Sequence, residues 1–179
     1  SGVRLNEVLD TQPSLTDEGS SVQTENKKAP RVAFENVSFT YAGSKEPALS
    51  HISFTAEPGE TIGIIGGTGC GKSTLVNLIP RFYDASAGAV KVDGNIVRNY
   101  PFSQLRKKIG VVPQQAVLFK GTIRENMKWG KEDATEEEIQ QALTIAQASD
   151  FVNSKPEGLN TMVSQGGSNL SGGQRQRLT

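Results

Sequence analysis

The stretch Gly66-Gly67-Thr68-Gly69-Cys70-Gly71-Lys72-Ser73 decides the fold of this 179-residue chain. It fits the phosphate-loop pattern G-x-x-x-x-G-K-[ST], in which glycines let backbone N–H groups turn inward around phosphate oxygens. Residues 61–65 just before it are apolar and β-branched, which predicts a buried strand. Apolar residues then recur at helical spacing from Leu75 to Phe82 and predict an amphipathic helix. This order favours a phosphate site over a glycine-rich turn that only caps a helix.

The rest of the sequence predicts an α/β fold with an added antiparallel portion. Further strands are predicted at residues 32–34, 37–39, 52–56 and 109–112. Asp93-Gly94 lies between apolar residues and predicts a hairpin turn, because both residue types tolerate the positive φ that such a turn needs. Thr122 and Thr135 each precede a Glu by three residues, which is the capping-box spacing of a helix start.

Composition along the chain predicts three parts. Residues 1–9 carry apolar residues in the pattern of a helix end. Residues 10–30 are almost entirely polar, so we expect a flexible linker. The globular domain is expected from residue 31 to residue 179. A chain that opens at Ser1 without Met is expected to be an excised piece of a longer protein.

Charge and cysteine content exclude several classes of protein. The chain has 19 Lys plus Arg and 19 Asp plus Glu, so its formal charge is zero and a general grip on nucleic acid is disfavoured. The single Cys excludes an intrachain disulfide framework and a multi-cysteine metal site. The longest apolar run, residues 62–65, is far below the ~20 residues that span a bilayer. We therefore expect no membrane crossing in this chain and no nucleic-acid partner.

A second glycine-rich helix start lies near residue 170. The sequence there is Leu170-Ser171-Gly172-Gly173-Gln174, and Ser171 and Gln174 have capping-box spacing. Taken alone, this pattern is a helix cap. The two glycines also leave the backbone N–H groups accessible, which indicates a second anion site at a helix N-terminus.

Together the two motifs resemble the nucleotide-binding domain of ABC transporters, whose signature sequence is Leu-Ser-Gly-Gly-Gln. The resemblance runs from about Val32 to the last residue. Within it, Val111-Val112-Pro113-Gln114 is similar to the strand and glutamine of the Q-loop, and Tyr41 is similar to the A-loop aromatic residue. The resemblance implies a P-loop NTPase fold of the ABC type, with a helical subdomain beside the antiparallel β portion.

The resemblance also implies a site for ATP and Mg²⁺. The residues expected to bind the nucleotide in one protomer are Tyr41, Gly66, Gly67, Thr68, Gly69, Cys70, Gly71, Lys72, Ser73 and Thr74. Lys72 would reach the β and γ phosphates and Gln114 would contact Mg²⁺ or the attacking water, so these two are the expected catalytic residues. Ser73 and Gln114 are the expected metal ligands, and Tyr41 would stack on adenine.

The signature residues are expected to act on a second protomer. Ser171, Gly172, Gly173 and Gln174 would contact the γ-phosphate held by another ABC domain, in a head-to-tail homodimer or heterodimer. Two of the other roles have alternatives. Tyr41 follows Val37 and Phe39 at period two and could be a strand residue in the core. Gln114 could be a loop amide that binds its own backbone.

The family pattern also predicts what this chain lacks. After the signature, the family continues into an apolar strand ending in Asp-Glu, called Walker B, then a D-loop and a switch histidine. No apolar segment of this chain ends in Asp-Glu, and the only histidine, His51, lies before the phosphate loop. We therefore expect an incomplete domain over residues 31–179, without the C-terminal part of its core sheet. It is expected to bind ATP and to hydrolyse it poorly or not at all.

Two short segments indicate the type of transporter. Residues 4–10 resemble the end of the long helix that joins the membrane domain to the nucleotide-binding domain in exporter half-transporters. Residues 165–169 resemble the exporter loop that contacts the membrane domain. We therefore expect the ATPase part of an exporter at the cytoplasmic face of the membrane, with its transmembrane domain in the same polypeptide. The alternatives are a soluble ABC ATPase acting on nucleic acid or ribosomes, and a nucleotide-binding module without turnover.

Overall fold

The computed structural model describes residues 14–20, 22 and 29–179. The chain forms two compact units, unit 1 from Ser1 to Ile109 and unit 2 from Gly110 to Thr179. The predicted helix end at residues 1–9 lies outside the described residues. Among the residues that are described, no helix has the length and apolar character needed to cross a membrane.

Unit 1 contains an antiparallel sheet whose central pair is β1 and β3. Its strands, in the spatial order β2-β1-β3-β4, are β1 Val32–Phe39, β2 Leu49–Ala56, β3 Ala87–Val92 and β4 Asn95–Ile96. The prediction of two separate strands at residues 32–34 and 37–39 is wrong, because β1 includes both segments. A register shift between Phe34 and Val37, with Asn36 at φ 50°, absorbs the polar residues as a bulge.

The hairpin predicted at Asp93-Gly94 is confirmed. These two residues connect β3 to β4 with φ values of 49° and 80°, as a type I′ turn requires. The sheet buries one face, where Phe34, Val37 and Tyr100 belong to the core of unit 1.

The phosphate-loop helix, α1, spans Lys72–Leu78 and is shorter than predicted. It buries Leu75 and Leu78, as the periodicity predicts. The last predicted turn is wrong, since Arg81 adopts φ 55° and Phe82 is exposed. A short 3-10 turn at Val97–Asn99 and helix α2, Phe102–Arg106, complete unit 1.

Two predicted buried strands are absent. Residues 61–65 form no strand, and Ile65 is 98% exposed. Residues 109–112 form no strand either, and Val112 is 72% exposed. A strand exists only where a neighbour supplies the other half of the hydrogen-bond ladder, and no described strand pairs with either segment.

Part of the predicted linker is held on unit 1. The side chain of Gln104 bonds both backbone groups of Val22, accepting from its N–H at 3.0 Å and donating to its C=O at 2.7 Å. The Asp17 carboxylate accepts the backbone N–H of Phe102, the first residue of α2, at 2.8 Å. Val22 also packs against the core of unit 1, so polar contacts and one apolar contact hold these residues. The polar composition of the segment did not indicate either kind of contact. The boundaries 10–30 and 31–179 stay a prediction.

Unit 2 is mainly helical. Its helices are α3 Ile123–Lys128, α4 Glu136–Ile145, α5 Ser149–Asn153 and α6 Gly172–Arg177, beside a short antiparallel pair of β5 Gly121–Thr122 with β6 Met162–Val163. The core includes Ile123, Ile139, Leu143 and Val152. Both predicted capping boxes are confirmed: Thr122 pairs reciprocally with Glu125, and Thr135 with Glu138.

Candidate functional site

The phosphate loop in unit 1 is exposed from residue 66 to residue 70, and so are residues 61–65 before it. Gly71 forms the N-cap of α1 in the left-handed conformation, φ 90° and ψ 5°, and no side chain caps the helix. The first turn of α1 carries no acidic residue. The first amides of a helix have no partner within it, so α1 presents free N–H donors and a positive dipole end to an anion.

The ammonium group of Lys72 lies over the loop. It donates to the carbonyl oxygens of Gly66 at 2.8 Å and Gly67 at 2.6 Å, and lies 3.6 Å from the Cys70 sulfur. A phosphate oxygen is a stronger acceptor for this group than a neutral carbonyl oxygen. The lysine is therefore positioned to transfer its hydrogen bonds to an anion that enters the loop.

Gly71 packs against the start of β2 so closely that no side chain fits. A Cβ atom at this position would lie 2.6 Å from the Ala48 carbonyl oxygen. The positive φ of Gly71 independently disfavours any other residue type. Both constraints fix the turn that joins the loop to α1.

Tyr41 and Thr74 meet beside the loop. Tyr41 lies two residues beyond the end of β1 and is 39% exposed, so the alternative that places it in the core as a strand residue is wrong. Its hydroxyl group lies 2.8 Å from the Thr74 hydroxyl on α1. The structure thus brings the predicted base-stacking residue next to the phosphate-loop helix.

The oxygen donors available for Mg²⁺ are few and neutral. Ser73 presents an exposed hydroxyl at the start of α1, and Gln114 presents an exposed amide in unit 2. The described part of the chain contains no group of three or more His, Cys, Asp or Glu side chains that could hold a metal. The single Ser73 hydroxyl in unit 1 fits Mg²⁺ that arrives with the phosphates of its nucleotide, and it does not fit an all-protein cage.

The signature motif in unit 2 forms the start of α6. Ser171 is the N-cap, and its hydroxyl oxygen accepts the Gln174 N–H at 3.2 Å, while the Gln174 side-chain oxygen accepts the Ser171 N–H at 3.0 Å. The predicted capping box is confirmed. Gly172 and Gly173 are exposed, and nothing lies within 4 Å of a Cβ at either position. The helix start therefore presents a smooth, open backbone.

Gln114 lies in an exposed bend of unit 2. Within the described residues its side chain forms no hydrogen bond, so the alternative that it binds its own backbone has no support here.

Sequence reasoning missed an aromatic pair in unit 2. The rings of Phe119 and Trp129 stack with centroids 4.6 Å apart, and Trp129 is 71% exposed. They line a groove of about 480 Å³ together with apolar residues such as Val112 and Val117. The buried Asn126 side chain fixes this region by bonding both the N–H and the C=O of Phe119. The available signal was that Trp129 is the single tryptophan of the chain.

Comparisons with known proteins agree with this geometry. The ABC transporter family matches residues 49–179, which include both glycine-rich motifs. The chain belongs to the ABC transporter family. An uncharacterized ABC transporter ATP-binding protein, YfiB of Bacillus subtilis, is 44% identical over the whole chain. The lipid A-core flippase of Dechloromonas aromatica is 45% identical over 92% of it, and the β-(1→2)glucan export protein NdvA of Rhodopseudomonas palustris is 45% identical over 96%.

The fold has a solved counterpart. A bacterial Atm1-family ABC exporter with ATP bound superposes on 99% of the chain with a TM-score of 0.88 and 33% sequence identity. The chain therefore has the ABC-type P-loop NTPase fold, as predicted. It spans 31% of that exporter and 28 to 31% of the three relatives named above. The solved structure and the glucan relative are named for export, and the Dechloromonas relative is named a flippase.

Proposed function

We propose that this chain is the ATP-binding part of an ABC exporter, in which ATP binding and hydrolysis drive transport. The observation that carries the proposal is the exposed phosphate loop, with a glycine N-cap, an uncapped helix start and Lys72 folded over it. The names of the flippase and glucan exporter support transport as the outcome.

The phosphate loop and three side chains of unit 1 are proposed to bind the nucleotide. The backbone N–H groups of the loop and the Lys72 ammonium would hold the phosphates, which carry the negative charge of the ligand. Tyr41 would stack on adenine with its exposed ring. The Ser73 hydroxyl oxygen would be a ligand of Mg²⁺, which neutralises phosphate charge when bound.

The signature residues of unit 2 are proposed to contact the γ-phosphate bound by a second ABC domain, in a head-to-tail pair. The Ser171 oxygen already accepts a hydrogen bond from Gln174, but a hydroxyl group keeps its own proton to donate. The open space at Gly172 and Gly173 lets a phosphate approach the backbone. Gln114, exposed in the same unit, would contact Mg²⁺ or the attacking water.

We propose a transmembrane domain of the same polypeptide as the second partner, at the cytoplasmic face of the membrane. The chain covers less than a third of its relatives, one of which is named an ATP-binding/permease protein. The groove lined by Phe119 and Trp129 offers an exposed apolar surface for this contact.

Turnover by the 179-residue chain is proposed to be slow. Phosphoryl transfer to water needs a group that positions the attacking water. The family uses the Asp-Glu that ends Walker B, and no apolar segment of this chain ends in that pair. Binding depends on the phosphate loop, which is present, so binding and hydrolysis are expected to separate.

The test is equilibrium binding of Mg-ATP to the 179-residue chain by calorimetry, with thermal unfolding measured in parallel. A ligand that binds only the folded chain stabilises it by about 2.7 kcal/mol at 100 times its Kd. Mg-AMP is the control, because it keeps the base and lacks the β and γ phosphates. Saturable ATP binding with a raised melting temperature supports the proposal, whereas equal affinities for ATP and AMP would contradict it. Phosphate release at about 1 s⁻¹ or faster, the usual range of enzymes, would contradict slow turnover, and a Lys72→Ala variant gives the background rate.

A further inference from the structure

The hydrogen bond between Tyr41 and Thr74 joins two distant parts of unit 1. The two hydroxyl oxygens are 2.8 Å apart, although the residues are 33 positions apart in sequence. Thr74 lies in the first turn of α1 and is only 6% exposed. Thr74 is therefore a buried residue whose hydroxyl group lies within hydrogen-bond distance of the Tyr41 hydroxyl group.

Ring contacts fix the remaining freedom of Tyr41. Phe39 packs perpendicular to its ring at 4.8 Å and 85°, and Tyr83 at 5.4 Å and 84°. A tyrosine side chain has two main torsions, so two ring contacts and one hydroxyl contact define its orientation. A site that is already ordered before binding loses less conformational entropy when the ligand arrives.

We propose that Thr74 is a positioning residue for the nucleotide base. Its hydroxyl group holds the Tyr41 ring at a fixed distance from the phosphate loop, because Thr74 stands two residues after Lys72 on the same helix. The distance between the base platform and the phosphate site is thereby set within unit 1. This inference rests on the proposed function and assigns the Thr74 side chain to the base rather than to the phosphates.

The test compares two ligands that differ in the base. Mg-ATP uses the platform and the loop, whereas Mg-tripolyphosphate uses the loop alone. The variants are Tyr41→Phe, Thr74→Val, the double variant and Thr74→Ser, which restores a hydroxyl group. Tyr83→Phe is the matched control, since it removes a tyrosine hydroxyl that bonds no described residue and keeps the ring contact. Affinities are measured by calorimetry on the 179-residue chain, after circular dichroism has confirmed folding.

We expect Tyr41→Phe and Thr74→Val each to weaken ATP binding about three- to tenfold, the range of one hydrogen bond. The double variant is expected to match the single variants, because both remove the same contact. Thr74→Ser and Tyr83→Phe are expected to bind ATP as the unmodified chain does. Tripolyphosphate affinity is expected to stay unchanged throughout.

Other outcomes overturn the inference in distinguishable ways. An unchanged ATP affinity in Tyr41→Phe overturns it even if Thr74→Val fails to fold. Equal losses for ATP and tripolyphosphate in Thr74→Val would assign the hydroxyl group to the phosphates, and additive losses would make the two side chains independent. If the unmodified chain binds neither ligand, the proposed function itself fails.

Discussion

Helices α4 and α6 begin with the same reciprocal cap, but only α4 supplies its own negative charge. In α4, Thr135 pairs with Glu138, and the first turn contains three glutamates. In α6, Ser171 pairs with the neutral Gln174, and the first turn contains no acidic residue. The positive end of α4 is therefore neutralised within the chain, whereas that of α6 stays available to an external anion.

The pKa of Glu138 in α4 and the absence of a side-chain cap in α1 show the same contrast. Hydrogen bonds from the Lys131 side chain and the Thr135 backbone lower the pKa of Glu138 below its usual value, so it is charged at neutral pH. Helix α1 goes further than α6, since it has neither an acidic residue nor a side-chain cap. The starts of α1 and α6, which are proposed to meet phosphate, have no acidic residue in their first turns, whereas those of α3, α4 and α5 do. Helix α2 has none either, but the Asp17 carboxylate accepts the N–H of its first residue, Phe102.

The largest expected effect is at the start of α1, which has neither an acidic residue nor a side-chain cap. Lys72→Ala removes the ammonium group that would hold the β and γ phosphates, so ATP affinity should fall about 10- to 150-fold, the range of one hydrogen bond to a charged group. The measurement is calorimetric titration with Mg-ATP. Lys107→Ala, which removes the same charge from an exposed position of unit 1, is the control. If both variants lose affinity equally, net charge rather than the loop attracts the nucleotide.

The glycines at the two starts should respond oppositely to alanine. Gly71→Ala forces a side chain into a left-handed position against the Ala48 carbonyl oxygen, so we expect a loss of about 2 kcal/mol in the free energy of unfolding. Gly172→Ala meets nothing within 4 Å and should raise that free energy by a few tenths of a kcal/mol. Urea unfolding followed by circular dichroism measures both. Equal destabilisation would mean that α6 is as tightly enclosed as α1.

Local features of the fold could be predicted from the sequence. The three capping boxes and the Asp93-Gly94 turn are confirmed, because each depends on residues within four positions of one another. Each of the two glycine-rich motifs leads into a helix, as predicted. In each capping box, the side chain that bonds the free backbone N–H lies three residues away in the sequence.

Features that depend on distant partners could not be predicted. The β-branched residues 61–65 were predicted as a strand, but propensity does not supply a neighbouring strand. The contact of Tyr41 with Thr74 and that of Val22 with Gln104 join residues 33 and 82 positions apart. No local sequence pattern predicts contacts between residues so far apart in the chain. The parts of the site that orient the residues are therefore the parts that only the structure supplies.

Removing the cap should separate its structural role from the proposed contact with phosphate. Ser171→Ala and Thr135→Ala each remove an N-cap and should each cost about 1 kcal/mol of unfolding free energy. Only Ser171→Ala should also weaken ATP-dependent association of two chains, measured by sedimentation with and without Mg-ATP. Ser171→Arg should block that association and leave monomer affinity for ATP intact. A collapse of monomer affinity in Ser171→Arg would contradict the assignment of Ser171 to the partner's nucleotide.

The smallest expected effect addresses the comparison most directly, by giving α6 the charge that α4 has. Gln174→Glu keeps the capping geometry and adds a carboxylate near the helix N-terminus, so unfolding free energy should rise by about 0.3–1 kcal/mol at low ionic strength. The gain should shrink as salt is added. Glu125→Gln in α3 is the reverse exchange in a confirmed box and should lose a similar amount.

Association then decides what the neutral residue at position 174 is for. If α6 receives a phosphate from a second chain, the added carboxylate repels it, and Gln174→Glu should weaken ATP-dependent association while it stabilises the monomer. Stability and association would then move in opposite directions, which a purely structural cap cannot produce. If association strengthened together with stability, Gln174 would be an ordinary capping residue, and the contrast between α4 and α6 would carry no functional meaning.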